Sequence, residues 1–180
     1  MRTIAAAGIA VILLAPLPGS GQPQGREHVA LSAKLSQDGV QRGGVMRGAL
    51  IVTVGSGWHI NSASPADDNL IATAASFSPP SGLAVAQVRY PGGSGKKCTF
   101  SDAPLSVYEG TVIIRFSITA SAGTAAGDYP LPVDVSYQAC NNDICLAPAS
   151  LRVVIPVRVL SEGAVPVPVN DELFNRSSEK

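Results

Sequence analysis

Three cysteines are the side chains in this sequence best suited to chemistry. Cys140 and Cys145 have four residues between them in "YQACNNDIC", and Cys98 lies well before them. A pair this close along the chain can form a disulfide, supply two ligands to a metal, or act as a dithiol that changes redox state. With three cysteines, one thiol is left over whenever a single bridge forms. The choice among these three uses determines what can be inferred about function.

A purely structural bridge between Cys140 and Cys145 would contribute little stability. The loop-closure model gives a six-residue ring only about 2 kcal/mol. A mature chain of about 150 residues buries enough surface to fold without such a bridge. Immunoglobulin-type domains that do use a disulfide join their two sheets through distant cysteines. These arguments favour a redox-active pair, although the residues alone leave a structural bridge open.

Metal binding and hydrolysis are the other chemistries to consider. Cys98, Cys140, Cys145 and His59 together are a possible zinc ligand set, but the spacing of the cysteine pair is slightly wider than zinc sites favour. A metal-handling domain is therefore the less favoured alternative, and we expect neither a metal nor another cofactor. The chain has only two histidines and no nucleophile-elbow sequence, which argues against a serine hydrolase.

The composition and the first residues predict an exported single-domain protein. The 180 residues carry 13 basic and 13 acidic side chains, so nothing forms the basic stripe that nucleic-acid binding requires. Arg2, the apolar run from Ile4 to Leu14 and "PLPGSG" are typical of a signal peptide, here residues 1–21. The run is too short to span a bilayer, and no membrane span is expected after its removal. We predict a periplasmic or secreted protein, in a compartment where disulfides persist.

The cysteines must be positioned by strands, because apolar and polar residues alternate over most of the chain. Alternation of this kind is typical of half-buried strands. The clearest stretches are "VMRGALIVTV", "TVIIRFSIT", "LPVDVSYQ" and "LRVVIPVRVL", and weaker ones lie at Val29 to Leu35, Trp58 to Asn61, Leu70 to Phe77 and Leu83 to Tyr90. Turn signals separate them, which favours an all-β antiparallel sandwich. We expect a flexible lead over 22–28, the domain over 29–160, and an extended or disordered tail over 161–180.

Several short motifs resemble those of a known family. "GWHIN", "YP", "PLSVYEG" and "YQAC" with a second cysteine and "LAP" are similar to the N-terminal exported domain of the DsbD family of thiol:disulfide interchange proteins. The resemblance runs from about Val29 to Leu160. It implies an immunoglobulin-like β-sandwich that carries a redox-active cysteine pair on a hairpin. It also implies a role in taking electrons from a thioredoxin-like partner and passing them to periplasmic thiol proteins.

The resemblance also assigns roles to residues around the pair. Cys140 and Cys145 correspond to the family's disulfide-forming pair, with Cys145 as the attacking thiol and Cys140 as the resolving one. Phe100, in "GKKCTFSDAPLS", corresponds to the shielding aromatic residue of a loop that covers the pair. His59 and Asn61 share one face of the "GWHIN" strand, which lies near the site in the family.

Other predictions concern the surroundings of the pair and its partners. Tyr137 is expected to point inward on the strand that leads to Cys140. The carboxylate of Asp143 disfavours a nearby thiolate, whereas the lysines at 96 and 97 favour it. Cys98 is a possible third thiol close to the Cys140–Cys145 turn. The chain as given ends at Lys180, so we expect a separate electron donor. A binding module of the same fold with a merely structural bridge is the main alternative.

Overall fold

Nearly all regular structure in this chain is β-strand. The computed structural model describes residues 25–65 and 69–175. In chain order the strands are β1 (Val29–Leu35), β2 (Val45–Val54), β3 (His59–Asn61), β4 (Ala74–Phe77), β5 (Leu83–Arg89), β6 (Ser94–Lys96), β7 (Leu105–Tyr108), β8 (Thr111–Ala120), β9 (Gly127–Tyr137), β10 (Ala139–Cys140) and β11 (Ala149–Val159). A short 3₁₀ turn (Arg26–His28) precedes them, and one α-helical turn, α1 (Asp171–Phe174), follows them.

The strands pair into three antiparallel sheets. Their orders are β1-β2-β8-β5, β10-β3-β7-β6 and β11-β9-β4. This arrangement confirms the predicted immunoglobulin-like antiparallel β-sandwich. Two of the strand prolines lie at residues 130 and 132, before the stretch of β9 that pairs with β4, and Pro156 lies on the edge strand β11. Proline lacks the N–H group that it would need to donate to a neighbouring strand. At these positions none of the three prolines has to pair on both sides of its strand.

The main core follows the alternation of the sequence. Each of the long strands places every second side chain inward, and those side chains form one buried cluster between the sheets. The cluster includes Leu50 and Val52 of β2, Ile114 and Phe116 of β8, Leu131, Val133, Val135 and Tyr137 of β9, and Ile155 and Val157 of β11. Tyr137 is fully buried, as its inward position predicts. Close packing on this scale fixes the strand ends that carry the cysteines.

The chain after β11 returns to the sandwich and extends along its edge. Asp38 and Val167 exchange two hydrogen bonds: the Asp38 N–H donates to the Val167 carbonyl (3.0 Å), and the Val167 N–H donates to the Asp38 carboxylate (2.8 Å). The Val169 N–H donates to the Ser36 carbonyl at 3.0 Å. The sequence predicts an extended or disordered end here, and no local pattern in it indicates these bonds.

The helical turn α1 then docks on the outside of the first sheet. Phe174 is only 7% exposed, and the Arg47 guanidinium carbon lies 5.5 Å from its ring centroid. Arg47 also donates to the Phe174 carbonyl at 2.8 Å, and Arg115 donates to the Leu173 carbonyl at 2.9 Å. These carbonyls are at the C-terminal end of the helix, where cationic groups are stabilising.

The N-terminal predictions fall partly outside the described residues. The predicted signal peptide, residues 1–21, and the beginning of the lead lie outside them. The remainder of the lead forms the 3₁₀ turn, and the His28 ring stacks on Trp58 with ring centroids 3.7 Å apart. Within residues 25–65 and 69–175, no helix has the length and apolar character needed to cross a membrane.

Candidate functional site

The cysteine pair closes a tight hairpin at the end of β10. Cys140 and Cys145 are joined by a disulfide, with their Cα atoms 4.0 Å apart, as the sequence predicted. The Asn141 side-chain oxygen accepts hydrogen bonds from the N–H groups of Asp143 and Ile144, both at 2.9 Å. The Asn141 N–H donates to the Ile144 carbonyl at 2.9 Å. An asparagine at this position commonly stabilises a turn through such bonds, which explains why the chain reverses here.

The two sulfur-bearing residues differ sharply in exposure. Cys140 is completely buried, whereas Cys145 is exposed. The chain after Cys145 is held in place because the Leu146 N–H donates to the Ala139 carbonyl at 2.9 Å. A protein thiol that approaches from solvent therefore meets Cys145 first.

Strand β3 connects this hairpin to the rest of its sheet and gives the sheet two distinct faces. Cys140 pairs with His59, and Asn61 pairs with Val107. Residues directly opposite each other in antiparallel strands project to the same face, and neighbours along a strand project to opposite faces. The face that carries Ile60 joins the main core. The other face carries a second, smaller layer, which we call the outer layer. It consists of the strand residues His59, Asn61, Cys140, Leu105 and Val107, and of Cys98, which packs on Leu105 and Val107.

His59 occupies the middle of the outer layer and is completely buried. Its Nε2 atom lies 3.8 Å from the Cys98 sulfur, and its Nδ1 atom has no hydrogen-bond partner. Burial lowers the pKa of His59, and the nearby Lys96 ammonium lowers it further, partly offset by Glu109. Lys96 and Glu109 form an ion pair at 2.7 Å. The His59 imidazole is therefore neutral near pH 7.

This lowered pKa predicts a loss of stability in mild acid. Unfolded His59 binds a proton below its ordinary pKa of 6.5, whereas folded His59 does not. The unfolded state thus gains protons first, and the free energy of unfolding should fall as the pH drops below about 6.5, by up to about 1.4 kcal/mol per pH unit. Urea titrations between pH 7 and 5 measure this slope. We expect a shallower slope in His59→Gln, and an unchanged slope would show that His59 is not its source.

Two further buried polar side chains near the hairpin lack full hydrogen bonding. Within the part of the chain that the structure describes, the buried side-chain atoms without a partner are His59 Nδ1, Asn61 Oδ1 and the Tyr137 hydroxyl. Asn61 does donate from its amide to the Ile71 carbonyl at 3.0 Å. Burial raises the pKa of Tyr137. Unpaired buried polar atoms are rare in folded proteins, and the three found here lie in and beside the outer layer.

The segment predicted to shield the pair lies against the cysteine hairpin. Thr99 donates twice to the Asn142 carbonyl, from its N–H at 3.1 Å and from its hydroxyl at 2.7 Å. The Ser101 N–H donates to the Cys98 carbonyl at 3.3 Å. Phe100 follows Thr99 and is 43% exposed, and its shielding role stays a prediction.

The structure thus brings some predicted site residues together and leaves others apart. Cys98, His59, Asn61 and Cys140 share the outer layer, whereas Asp143 is exposed at the turn and Lys96 is paired with Glu109. Sequence reasoning missed the turn-stabilising role of Asn141 and the contact between Thr99 and Asn142. The "NND" sequence between the cysteines was a signal for the first of these. The second depends on a contact between distant segments that no local pattern reveals.

The structure assembles no metal ligand set from the described residues. Across 25–65 and 69–175, no group of three His, Cys, Asp or Glu side chains is placed to hold a metal ion. Two members of the set proposed from sequence, Cys140 and Cys145, are bonded to each other.

Comparisons with known proteins agree with the geometry. The family model described as "Thiol:disulfide interchange protein DsbD, N-terminal" matches residues 32–155. A comparison with curated protein sequences gave no match. Among solved structures, the N-terminal periplasmic domain of ScsB from Proteus mirabilis is 14% identical with a TM-score of 0.51. That match covers 87% of this chain and 55% of the ScsB chain.

A second solved structure is the reduced DsbD N-terminal domain of Neisseria meningitidis. It is 16% identical with a TM-score of 0.46, and the match covers 81% of this chain and 93% of that chain. At these identities the likeness to ScsB concerns the fold, and the weaker likeness to the Neisseria domain adds no separate argument.

Proposed function

The chain belongs to the family of DsbD N-terminal domains, and from this premise we propose that it is an exported thiol:disulfide exchange module that relays electrons between thiol proteins through Cys140 and Cys145. The observation that carries the proposal is the unequal exposure of the two cysteines within one small ring. Cys145 is open to a partner, and Cys140 is buried directly behind it. A merely structural bridge requires no such difference.

The exchange proceeds in two steps that need only sulfur chemistry. In the reduced module, the Cys145 thiolate attacks a partner disulfide, forms a mixed disulfide and releases one partner thiolate. The Cys140 thiolate then attacks the Cys145 sulfur, which restores the Cys140–Cys145 bond and releases the second partner thiolate. Two electrons pass to the partner. A reduced thioredoxin-like donor reverses the sequence by attacking Cys145, and neither direction requires a metal or an organic cofactor.

The surface near Cys145 is suited to docking a protein rather than a small polar molecule. Ile144, next to Cys145, is 53% exposed, and Phe100 on the neighbouring segment is 43% exposed. Exposed apolar side chains at a reactive sulfur favour contact with the apolar surface of a partner protein. Together with membership of the DsbD N-terminal family, this surface supports thioredoxin-like or other thiol proteins as the partners.

The reduction potential of the bridge tests the proposal. We expect a potential between about −270 and −120 mV, the range of exchanging dithiols, because the small ring is accessible at Cys145. Equilibration of the mature protein with thiol buffers of known potential, followed by alkylation and mass spectrometry of the Cys140–Cys145 peptides, gives this value. A potential well below about −300 mV is typical of inert structural disulfides and would support the alternative binding module.

A further inference from the structure

Cys98 is a buried thiol that the two-step exchange does not use. It is only 4% exposed, and it is the one free cysteine among the described residues. Its position in the outer layer is fixed from two sides. The Cys98 sulfur lies 3.8 Å from His59 Nε2, and the next residue, Thr99, donates twice to the Asn142 carbonyl of the cysteine hairpin. Cys98 is thus held against the same small layer that contains Cys140.

One side chain, that of His59, is a neighbour of both Cys98 and Cys140. His59 and Cys140 are direct cross-strand partners, so their Cβ atoms are separated by about 5 Å on the same face. Both residues are completely buried, and the His59 Nε2 atom lies 3.8 Å from the Cys98 sulfur. One imidazole is therefore a neighbour of both cysteines, of Cys98 through its Nε2 atom and of Cys140 across the strand pair. Cys145, in contrast, is exposed.

We propose that Cys98 is a third exchanging thiol whose target is Cys140, so that the disulfide moves from Cys140–Cys145 to Cys98–Cys140. The inference rests on the proposed function in one respect: the original bridge must be open to exchange. It requires a local shift of the segment around Cys98 that brings the two Cα atoms within about 7 Å.

The step is an isomerisation in which atoms and electrons balance. The Cys98 sulfur attacks the Cys140 sulfur, a Cys98–Cys140 bond forms, and the Cys140–Cys145 bond breaks. Cys98 gives its proton to His59 Nε2, the imidazolium then releases that proton to solvent, and the departing Cys145 thiolate takes up one proton from solvent, so the number of bound protons is unchanged. One disulfide and one thiol exist before and after the step, so no outside oxidant or reductant takes part.

The surroundings of Cys98 keep its thiol protonated, which slows this step, and they favour Cys140 as the sulfur that is attacked. Burial raises the pKa of Cys98, and Glu109 raises it further, partly offset by Lys96. Cys98 is therefore a protonated thiol near neutral pH, and its attack depends on a neighbouring base. His59 is that neighbour, and its neutral ring can accept a proton. The leaving sulfur belongs to exposed Cys145, where water stabilises the thiolate that departs.

Isomerisation would withdraw the disulfide from partner proteins. In the new arrangement both bonded sulfurs belong to the buried layer, and Cys145 is a lone exposed thiol. A donor thiolate that approaches from solvent then finds no disulfide to reduce. The reverse attack, by the Cys145 thiolate on Cys140, returns the module to its exchanging form.

Two single-cysteine substitutions in the full mature chain test the assignment. Cys145→Ser leaves Cys98 and Cys140, and Cys140→Ser leaves Cys98 and Cys145 as a matched control. Each reduced protein is treated with diamide, quenched with acid and mapped without reduction by mass spectrometry, and far-UV circular dichroism confirms that both are folded. We expect Cys145→Ser to form an intramolecular Cys98–Cys140 bridge at least about tenfold faster than Cys140→Ser forms Cys98–Cys145.

The role of His59 as proton acceptor has its own readout. In a Cys145→Ser background, His59→Phe keeps an aromatic ring of similar size but has no base. We expect bridge formation to slow most near pH 7 and to recover as the pH rises towards the pKa of Cys98, because hydroxide then replaces the imidazole. A pH–rate profile unchanged by His59→Phe would overturn this role.

Other outcomes separate this inference from the proposed function. If Cys145→Ser keeps two free thiols, or forms only dimers between molecules, the third-thiol inference is overturned while the redox titration of Cys140–Cys145 still stands. Equal rates in the two variants would overturn Cys140 as the specific target. The relay would instead be contradicted if Cys145→Ser forms the Cys98–Cys140 bridge while the Cys140–Cys145 bridge of the unchanged protein resists reduction by thiol buffers.

Discussion

Cys145→Ser is expected to slow exchange with a partner disulfide by on the order of 1000-fold or more, because it removes the attacking sulfur. Cys140→Ser is expected to behave differently. Cys145 remains exposed and still attacks, but Cys140 is no longer present to release the partner. The mixed disulfide should therefore accumulate on Cys145. The contrast between the two serine variants follows from burial of one cysteine and exposure of the other.

The measurement uses reduced protein mixed with an oxidised thioredoxin-like protein and quenched with acid at intervals. Intact-mass spectrometry distinguishes the free module, the mixed disulfide and the reoxidised module. Each variant is the control for the other, since both replace one sulfur of the same ring by oxygen. If Cys145→Ser captured the partner and Cys140→Ser did not, the attacking and resolving roles would be reversed.

Phe174→Ala is expected to lower the free energy of unfolding by about 2 kcal/mol, below the usual range for a central core phenylalanine because this ring packs on the outside of a sheet. The ring is 7% exposed and lies beneath the Arg47 guanidinium. Its loss should also loosen the bonds that Arg47 and Arg115 donate to the end of α1. For a domain of this size, the midpoint of thermal unfolding should fall by roughly 6 °C.

Thermal and urea unfolding of the mature protein measure this effect. Glu172→Ala is the matched control, because Glu172 lies on the same helical turn but is exposed. We expect a change within about 0.5 kcal/mol for the control. Equal stability of Phe174→Ala and the unchanged protein would show that the docked end does not contribute to folding. The exchange rate at Cys145 should not change in either variant, since α1 packs on a different sheet from the hairpin.

Much of the sandwich could be predicted from local patterns, but the way its strands meet could not. The alternation over β2 and β8 identified the inward residues, because the period of two is a local property of a strand. The pairing of Cys140 with His59 joins residues distant in sequence, and two-residue β10 is too short to show any period. The motif resemblance placed His59 near the pair, whereas its position beside both Cys98 and Cys140 depends on the strand register.

The C-terminal end illustrates a second limit of sequence reasoning. Alternating proline and valine over 165–169 indicated extended chain, and the segment from Val167 to Val169 does extend along Ser36 and Asp38, in the loop that follows β1. Phe174 is the one aromatic residue in the sequence from 161 to 180, and most residues from 170 onward are polar. Its burial depends on Arg47 and Arg115, which lie on β2 and β8. Contacts between elements so far apart along the chain leave no local pattern.

The turn held by Asn141 has a consequence for how long a captured partner stays attached. Its bonds to the N–H groups of Asp143 and Ile144 are made by the backbone and an amide, and neither involves sulfur. The turn can therefore keep its shape when the cysteines are reduced. Cys140 then faces the Cys145 sulfur at a very high effective molarity, since little chain entropy remains to be lost. Intact modules should release their partners quickly, and covalent complexes should be recoverable from cells only when the buried cysteine has been removed.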